Sequence, residues 1–182
     1  MKILTDLGHP KNVHVIKNLI PLLQKNGHEL HCIYRDREHI EELCRAFGIS
    51  GINRGKGGSG IFGKFLYLVK TDHHLLKLAR KIKPNLLLSF GSPYLANLAM
   101  LTRIPMIVFD DTEQNRLVQK LYSFCSDAIV VPACFEKTLS PRQVPAQPGK
   151  QELQGDLQSP AGADGGRGQG GERDPRDRKS VV

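Results

Sequence analysis

A chain of 182 residues, 40% of them hydrophobic, has room for one folded domain with an appendage and not for two domains of ordinary size. The formal charge of +8 is uneven: residues 1–139 carry 19 Lys and Arg against 12 Asp and Glu, and the remainder carries 7 against 6. No apolar run approaches the eighteen or so residues of a membrane span and no signal-peptide pattern leads the chain, so a cytoplasmic protein is expected.

The first elements form one unit. Ile3 to Leu7 is a strand-length apolar run, broken by Gly8-His9-Pro10. Val13, Ile16, Leu19, Ile20 and Leu23 then recur at helical spacing, Asn26-Gly27 supplies a left-handed cap, and His28 to Tyr34 reads as a second strand. Strand, turn, helix and strand make a βαβ unit, which sets the first turn at the carboxyl edge of a sheet, beside a helix amino terminus suited to anions.

Asp36 is placed to cap a second helix through Ile40, Leu43, Cys44 and Phe47, and Ile49 to Asn53 forms a short third strand. A glycine-rich basic loop, Gly55 to Lys64, precedes a long helix from Phe65 to Ile82, which Lys83-Pro84 stops. Asn85 to Phe90 is a fourth strand, broken by Gly91-Ser92-Pro93; a helix follows through Leu95, Leu98, Ala99 and Leu101. Met106 to Phe109 is a fifth strand, Asp110-Asp111-Thr112 turns into a helix through Leu117, Leu121 and Tyr122, and Ala128 to Val131 is the last strand. From Ser140 onward there is no aromatic, Ile, Asn or His, and Gly, Gln, Pro, Arg and Asp take over, so residues 140–182 are expected to form a disordered tail after a domain of residues 1–139.

Continuously apolar strands alternating with helices predict an α/β fold, a Rossmann-like doubly wound parallel sheet covered on both faces, with the first and fourth strands adjacent at the switch point. The turns Gly8 to Asn12, Phe90 to Pro93 and Asp110 to Glu113 then share the ligand edge. The loop around Gly58 to Lys64 departs from a triphosphate-binding loop, since Phe65 stands where Ser or Thr must hold magnesium, and no Gly-x-Gly-x-x-Gly follows the first strand. Cys32, Cys44, Cys125 and Cys134 form no close pair and have no histidine at ligand spacing; neither metal nor cofactor is expected. His73-His74 point about 100° apart on a helix and cannot share a ligand. His9 and His14 lie at the predicted edge, where a histidine takes a proton, donates to a phosphate, or merely caps the turn. Asp110 and Asp111 read either as working carboxylates or as an ordinary cluster before a helix.

Several ordered stretches resemble known enzymes. Asn53-Arg54-Gly55-Lys56-Gly57, Lys83 to Gly91 and Ile104 to Val108 are similar to the amino-terminal half of GT-B glycosyltransferases, in particular the N-acetylglucosaminyltransferase of peptidoglycan synthesis and, more distantly, the UDP-N-acetylglucosamine 2-epimerases. Gly8-His9-Pro10, Val13-His14-Val15, Gly91-Ser92-Pro93 and Asp111-Thr112-Glu113 resemble an archaeal and bacterial family of this architecture, domain of unknown function 354. The resemblance runs from Met1 to about Phe135. It implies His14 and Asp110 as catalytic bases, Lys11, Arg54 and Lys56 as phosphate contacts, and Gly8, His9, Gly91, Ser92, Asp111 and Glu113 around a sugar or phosphorylated small molecule. Epimerisation is not implied, since Gly91-Ser92 stands where those enzymes carry an acidic residue.

The family's enzymes have two such domains, so the resemblance implies the acceptor-side half of a sugar-nucleotide-dependent enzyme, inactive alone. The abrupt change of composition at the tail is what a truncated or out-of-frame gene product would show. The other readings are a non-catalytic ligand-binding or interaction domain and a basic nucleic-acid-binding module; the last lacks the interleaved aromatics that single-strand binders stack on, so no specific nucleic acid is expected. Peripheral contact with an anionic membrane is compatible with the charge.

Overall fold

The computed structural model describes residues 1–37, 39–111 and 116–146. Seven strands, all parallel, run β3-β2-β1-β4-β5-β6-β7 across one sheet. They are β1 (Lys2–Leu7), β2 (Glu29–Tyr34), β3 (Gly51–Asn53), β4 (Leu86–Ser89), β5 (Met106–Phe109), β6 (Ala128–Val131) and β7 (Gln143–Pro145). The helices are α1 (Pro10–Lys25), α2 (Ile40–Ala46), α3 (Gly60–Ile82), α4 (Pro93–Thr102) and α5 (Arg116–Cys125).

The switch point lies between β1 and β4, where Ile3, Leu4 and Thr5 pair with Leu86, Leu87 and Leu88. Asn85 fixes that register: its side-chain oxygen accepts from the Lys2 amide at 2.8 Å, and its own amide donates to the Lys2 carbonyl at 2.8 Å. The β1–α1–β2–α2–β3 half winds over one face, and the α3 crossover carries the chain to the other. Each face accordingly has its own core. Ile3, Leu7, Val13, Ile16, Cys32, Ile40 and Cys44 pack under α1 and α2. Leu4, Ile33, Leu75, Leu87, Leu95, Leu98, Met106, Tyr122 and Ile129 pack under α3, α4 and α5. Alternate β1 residues serve opposite faces, which is why that strand is apolar nearly throughout.

Local chemistry sets the helix ends. Pro10 and Pro93 occupy first turns, where their missing N–H is no loss. His9 caps α1, its Nδ1 accepting from the Lys11 amide at 3.2 Å, and Ser92 caps α4. Gly27 takes the left-handed conformation expected after α1, with φ 71°.

Three boundaries differ from the sequence expectation. Asp36 does not cap α2; the helix starts at Ile40 behind His39, and the Asp36 amide donates instead to the Gly55 carbonyl at 3.2 Å. α3 begins at Gly60, so the last part of the glycine-rich stretch is helical. The sheet also continues beyond Leu139: Ile129, Val130 and Val131 pair with Gln143, Val144 and Pro145. An edge strand bonded on one side tolerates the proline and the polar residues that make this segment read as tail. The expectation for residues 147–182 falls outside the described residues.

Candidate functional site

Loops after β1, β4, β5, β6 and β7 meet at the carboxyl edge around a cavity of about 380 Å³. Lys11, Asn12 and Val15 of α1 form one wall, Phe90 and Phe109 the floor, and Val130, Val131, Pro132 and Ala146 the far side. The two phenyl rings stack with centroids 5.8 Å apart at 27°. Asn12 is 4% exposed and lines this cavity, with no side-chain hydrogen bond to another described residue.

Charge gathers at the mouth. Lys11 Nζ lies 2.6 Å from Asp111 Oδ1, joining the first turn of α1 to the turn after β5; both groups are about half exposed, so the pair adds little stability. Asp110 is tied back to α5, its Oδ2 accepting from the Tyr122 hydroxyl and from Gln119 Nε2, the latter at 3.1 Å. Burial, and then the hydrogen bond to this carboxylate, push the Tyr122 phenol well above its ordinary range. A smaller recess of about 110 Å³ shares Lys11, Phe90, Asp110 and Asp111 and adds Gly91.

A second polar assembly sits beneath the same edge. Arg54 grips Asp6 in two bonds, Nε to Oδ1 at 3.0 Å and a terminal nitrogen to Oδ2 at 3.2 Å, with side chains 3% and 1% exposed. Its other terminal nitrogen donates to the Tyr67 hydroxyl at 2.6 Å, which in turn donates to the Gly55 carbonyl at 3.2 Å. The Ser92 hydroxyl donates to Asp6 at 2.6 Å, and the guanidinium sits over the Tyr94 ring, 4.4 Å from Cζ to centroid. Burial works against the charge on Arg54, but Asp6 beside it more than offsets this and holds its pKa above the ordinary value. The assembly ties β1, the loop after β3, α3 and α4 together.

The family model for proteins of unknown function DUF354 matches residues 1–148. The chain belongs to the DUF354 family. No curated protein matches the sequence. Among solved structures, the fold of this DUF354 chain is similar to UDP-GlcNAc 2-epimerase from Neisseria meningitidis bound to UDP-GlcNAc (18% identity, TM-score 0.60, 73% of this chain and 40% of that one). It is likewise similar to Acinetobacter baumannii MurG (13%, TM-score 0.61, 76% and 43%) and to the spinosyn rhamnosyltransferase SpnG complexed with thymidine diphosphate (13%, TM-score 0.55, 80% and 49%). The architecture is therefore the Rossmann-like amino-terminal domain of the GT-B type, and the chain spans less than half the length of the structures it matches.

The expected residues separate into three groups in this DUF354 fold. Lys11, Asp110 and Asp111 line the cavity, and Gly91 the recess beside it. Arg54 and Ser92 are brought to the edge but spent on Asp6, so neither presents a free group to a phosphate. The rest lie to the side. His9 caps α1. Lys56 is exposed, 4.0 Å from Asp36. His14 turns toward α2, its ring edge-on to Phe47 at 5.4 Å and absent from the cavity wall. Val15, about 100° further round α1, faces the cavity instead. Gly8 needs no glycine-only backbone, and a Cβ built there meets only the Arg54 guanidinium at 3.8 Å; Gly91, with φ 68°, is the turn that requires glycine. Glu113 lies outside the described residues.

Asn12, Asp6, Tyr67 and the Tyr122–Gln119 clamp escape the sequence reading. Asp6 carried a usable signal, since a lone carboxylate inside an apolar strand must find a buried partner.

Proposed function

We propose that this chain is the acceptor-side half of a GT-B-type, sugar-nucleotide-dependent transferase, and that an apolar portion of the acceptor occupies the cavity under α1. The observation carrying the proposal is an apolar cavity at the switch-point edge, lined by two phenyl rings and the Asn12 amide and bordered by two carboxylates and a lysine. Ligands of doubly wound sheets bind at that edge. The phenyl floor suits an alkyl or aryl group, and Asn12 offers both a donor and an acceptor to an amide or hydroxyl on it. Asp110, held in place by Tyr122 and Gln119, is the base positioned to take the proton of an acceptor hydroxyl at the mouth. His14, the other base the resemblance implies, lies edge-on to Phe47 and outside the cavity lining. Lys11 would counter negative charge developing at the same place.

Transfer needs a donor held opposite. Orienting donor and acceptor supplies several kcal/mol of a barrier, and a single domain provides one wall of such a cleft. The chain alone would therefore bind acceptor and turn over no sugar nucleotide. A titration of the full chain with aryl and alkyl glycosides, followed by ligand-observed NMR, tests the reading. Binding is expected, with marked weakening in Asn12→Leu and Phe90→Ala. Equal binding by both variants would remove the cavity from the account. Turnover of UDP- or TDP-sugars by the chain alone would contradict the half-enzyme reading.

A further inference from the structure

α3 is packed along only half of its length. Its buried residues, Thr71, Leu75, Ala79 and Ile82, all fall in the carboxyl-terminal half. In the first three turns Ile61 is 91% exposed and Phe62 74%, and Phe65, Leu66 and Val69 are each more than half exposed. At about 100° per residue these five side chains cover an arc of roughly 140°, which begins at the azimuth of buried Ala79 and turns away from it. The flank beside this arc is basic: Arg80 falls within the arc, and Lys70, Lys77 and Lys81 lie about 20–60° beyond its edge, all exposed. From Arg54 to Thr71 there is no acidic residue, and Asp72, half-buried, is bonded to Asn97 at 2.8 Å.

We propose that this face of α3 docks on an anionic lipid bilayer, its first three turns seated among the acyl chains and its lysines and arginine against the headgroups. The proposal stands apart from the sugar-nucleotide reading. A contiguous exposed apolar patch of this kind requires a cover. Charge decides among the candidates. A second copy would lay one row of Lys70, Lys77, Arg80 and Lys81 against another, which like-charge repulsion opposes. A bilayer containing acidic lipid is apolar and anionic in the order the helix presents, as interfacial helices require. No helix among the described residues is long and apolar enough to cross a membrane, so the contact is peripheral. Docked this way, the carboxyl edge, from which α3 starts, lies close to the lipid surface.

The test is co-sedimentation of the full chain with vesicles of phosphatidylcholine containing phosphatidylglycerol, with phosphatidylcholine alone as comparison. The parent chain should bind the acidic vesicles and scarcely the neutral ones. Phe62→Ser combined with Phe65→Ser removes apolar groups that belong to neither core of the described residues and leaves the charge unchanged. It should weaken binding about tenfold. Lys70→Glu with Lys77→Glu should weaken it comparably, and circular dichroism should show both variants folded. Unchanged binding by the serine variant would mean that overall positive charge alone attracts the chain, and would overturn the proposal. So would failure of the parent to bind, or a dimer in sedimentation velocity that the serine variant dissolves.

Discussion

Replacing Asp6 with Ala is the most searching perturbation of this fold. It deletes three charge-assisted hydrogen bonds at once, two from Arg54 at 3.0 and 3.2 Å and one from Ser92 at 2.6 Å. The guanidinium then remains where its side chain is 3% exposed, with the Tyr67 hydroxyl and the Tyr94 side chain beside it and no counter-charge. The three bonds share one carboxylate, so their separate values do not add. The applicable magnitude is that of a buried pair losing one member, about 3–5 kcal/mol. For a domain of this size, with an unfolding entropy of about 0.3 kcal/mol per kelvin, that is a fall in Tm of roughly 10–17 °C. Asp6→Leu combined with Arg54→Met removes both charges and should recover stability to within about 1–2 kcal/mol of the parent. Urea unfolding of the full chain, followed by circular dichroism, measures both. A single Asp6→Ala variant within about 1 kcal/mol of the parent, or a double variant as damaged as the single one, would refute the argument that desolvation of an unpaired arginine dominates.

Other expectations follow from individual contacts. A Cβ added to Gly58 falls 1.9 Å from the Gly63 carbonyl oxygen, so Gly58→Ala should cost about 1–3 kcal/mol and loosen the start of α3 in hydrogen exchange; Gly57→Ala, whose added Cβ meets only the flexible end of Arg35, should cost much less. Tyr122→Phe removes a buried donor to Asp110 and should destabilise by about 1–2 kcal/mol in urea, with Gln119 left as its remaining clamp from α5. Burial, with Cys44 adding to it, pushes the Cys32 thiol from 9.0 up to about 12; the unfolded chain ionises first, so this thiol's contribution to stability is full below about pH 9 and is lost between there and about pH 12, as thermal melts across that range would show. For the same reason iodoacetamide at neutral pH should modify exposed Cys134 well before Cys32, and equal rates would contradict the burial.

Strand and helix identities were legible because each buried element repeats its own period. Ile3 to Leu7, Leu86 to Ser89 and Ala128 to Val131 are apolar runs of strand length, and with the helices between them they dictate a parallel sheet with β1 beside β4. β7 escapes that logic. Gln143–Pro145 is a three-residue edge strand with no buried face to announce it. The start of α3 escapes it too, since glycines carry no periodic signal. At the site, topology alone located the turns, but a side chain's employment depends on distant residues. Arg54 reads as a phosphate contact until Asp6, 48 positions earlier, is seen to claim it. His14 and Val15 are neighbours in sequence, and only the rotation of α1 sends one to Phe47 and the other to the cavity.

The central place of β1 also imposes a timetable on the nascent chain. Ile3 meets Leu30 on one side soon after β2 is made, but its other neighbour is Leu86. At translation rates of about 5–20 residues per second, roughly 3–11 s separate completion of β2 from completion of β4. Through that interval β1 is an open edge, and Leu4 and Ile33, which share a core with Leu87, lack the strand that closes over them. Arg54 is synthesised within the same interval and Ser92 after it, so the folded partners of Asp6 come from both sides of the gap. The burial that makes this ion pair costly to break in the folded chain depends on residues that the ribosome supplies last.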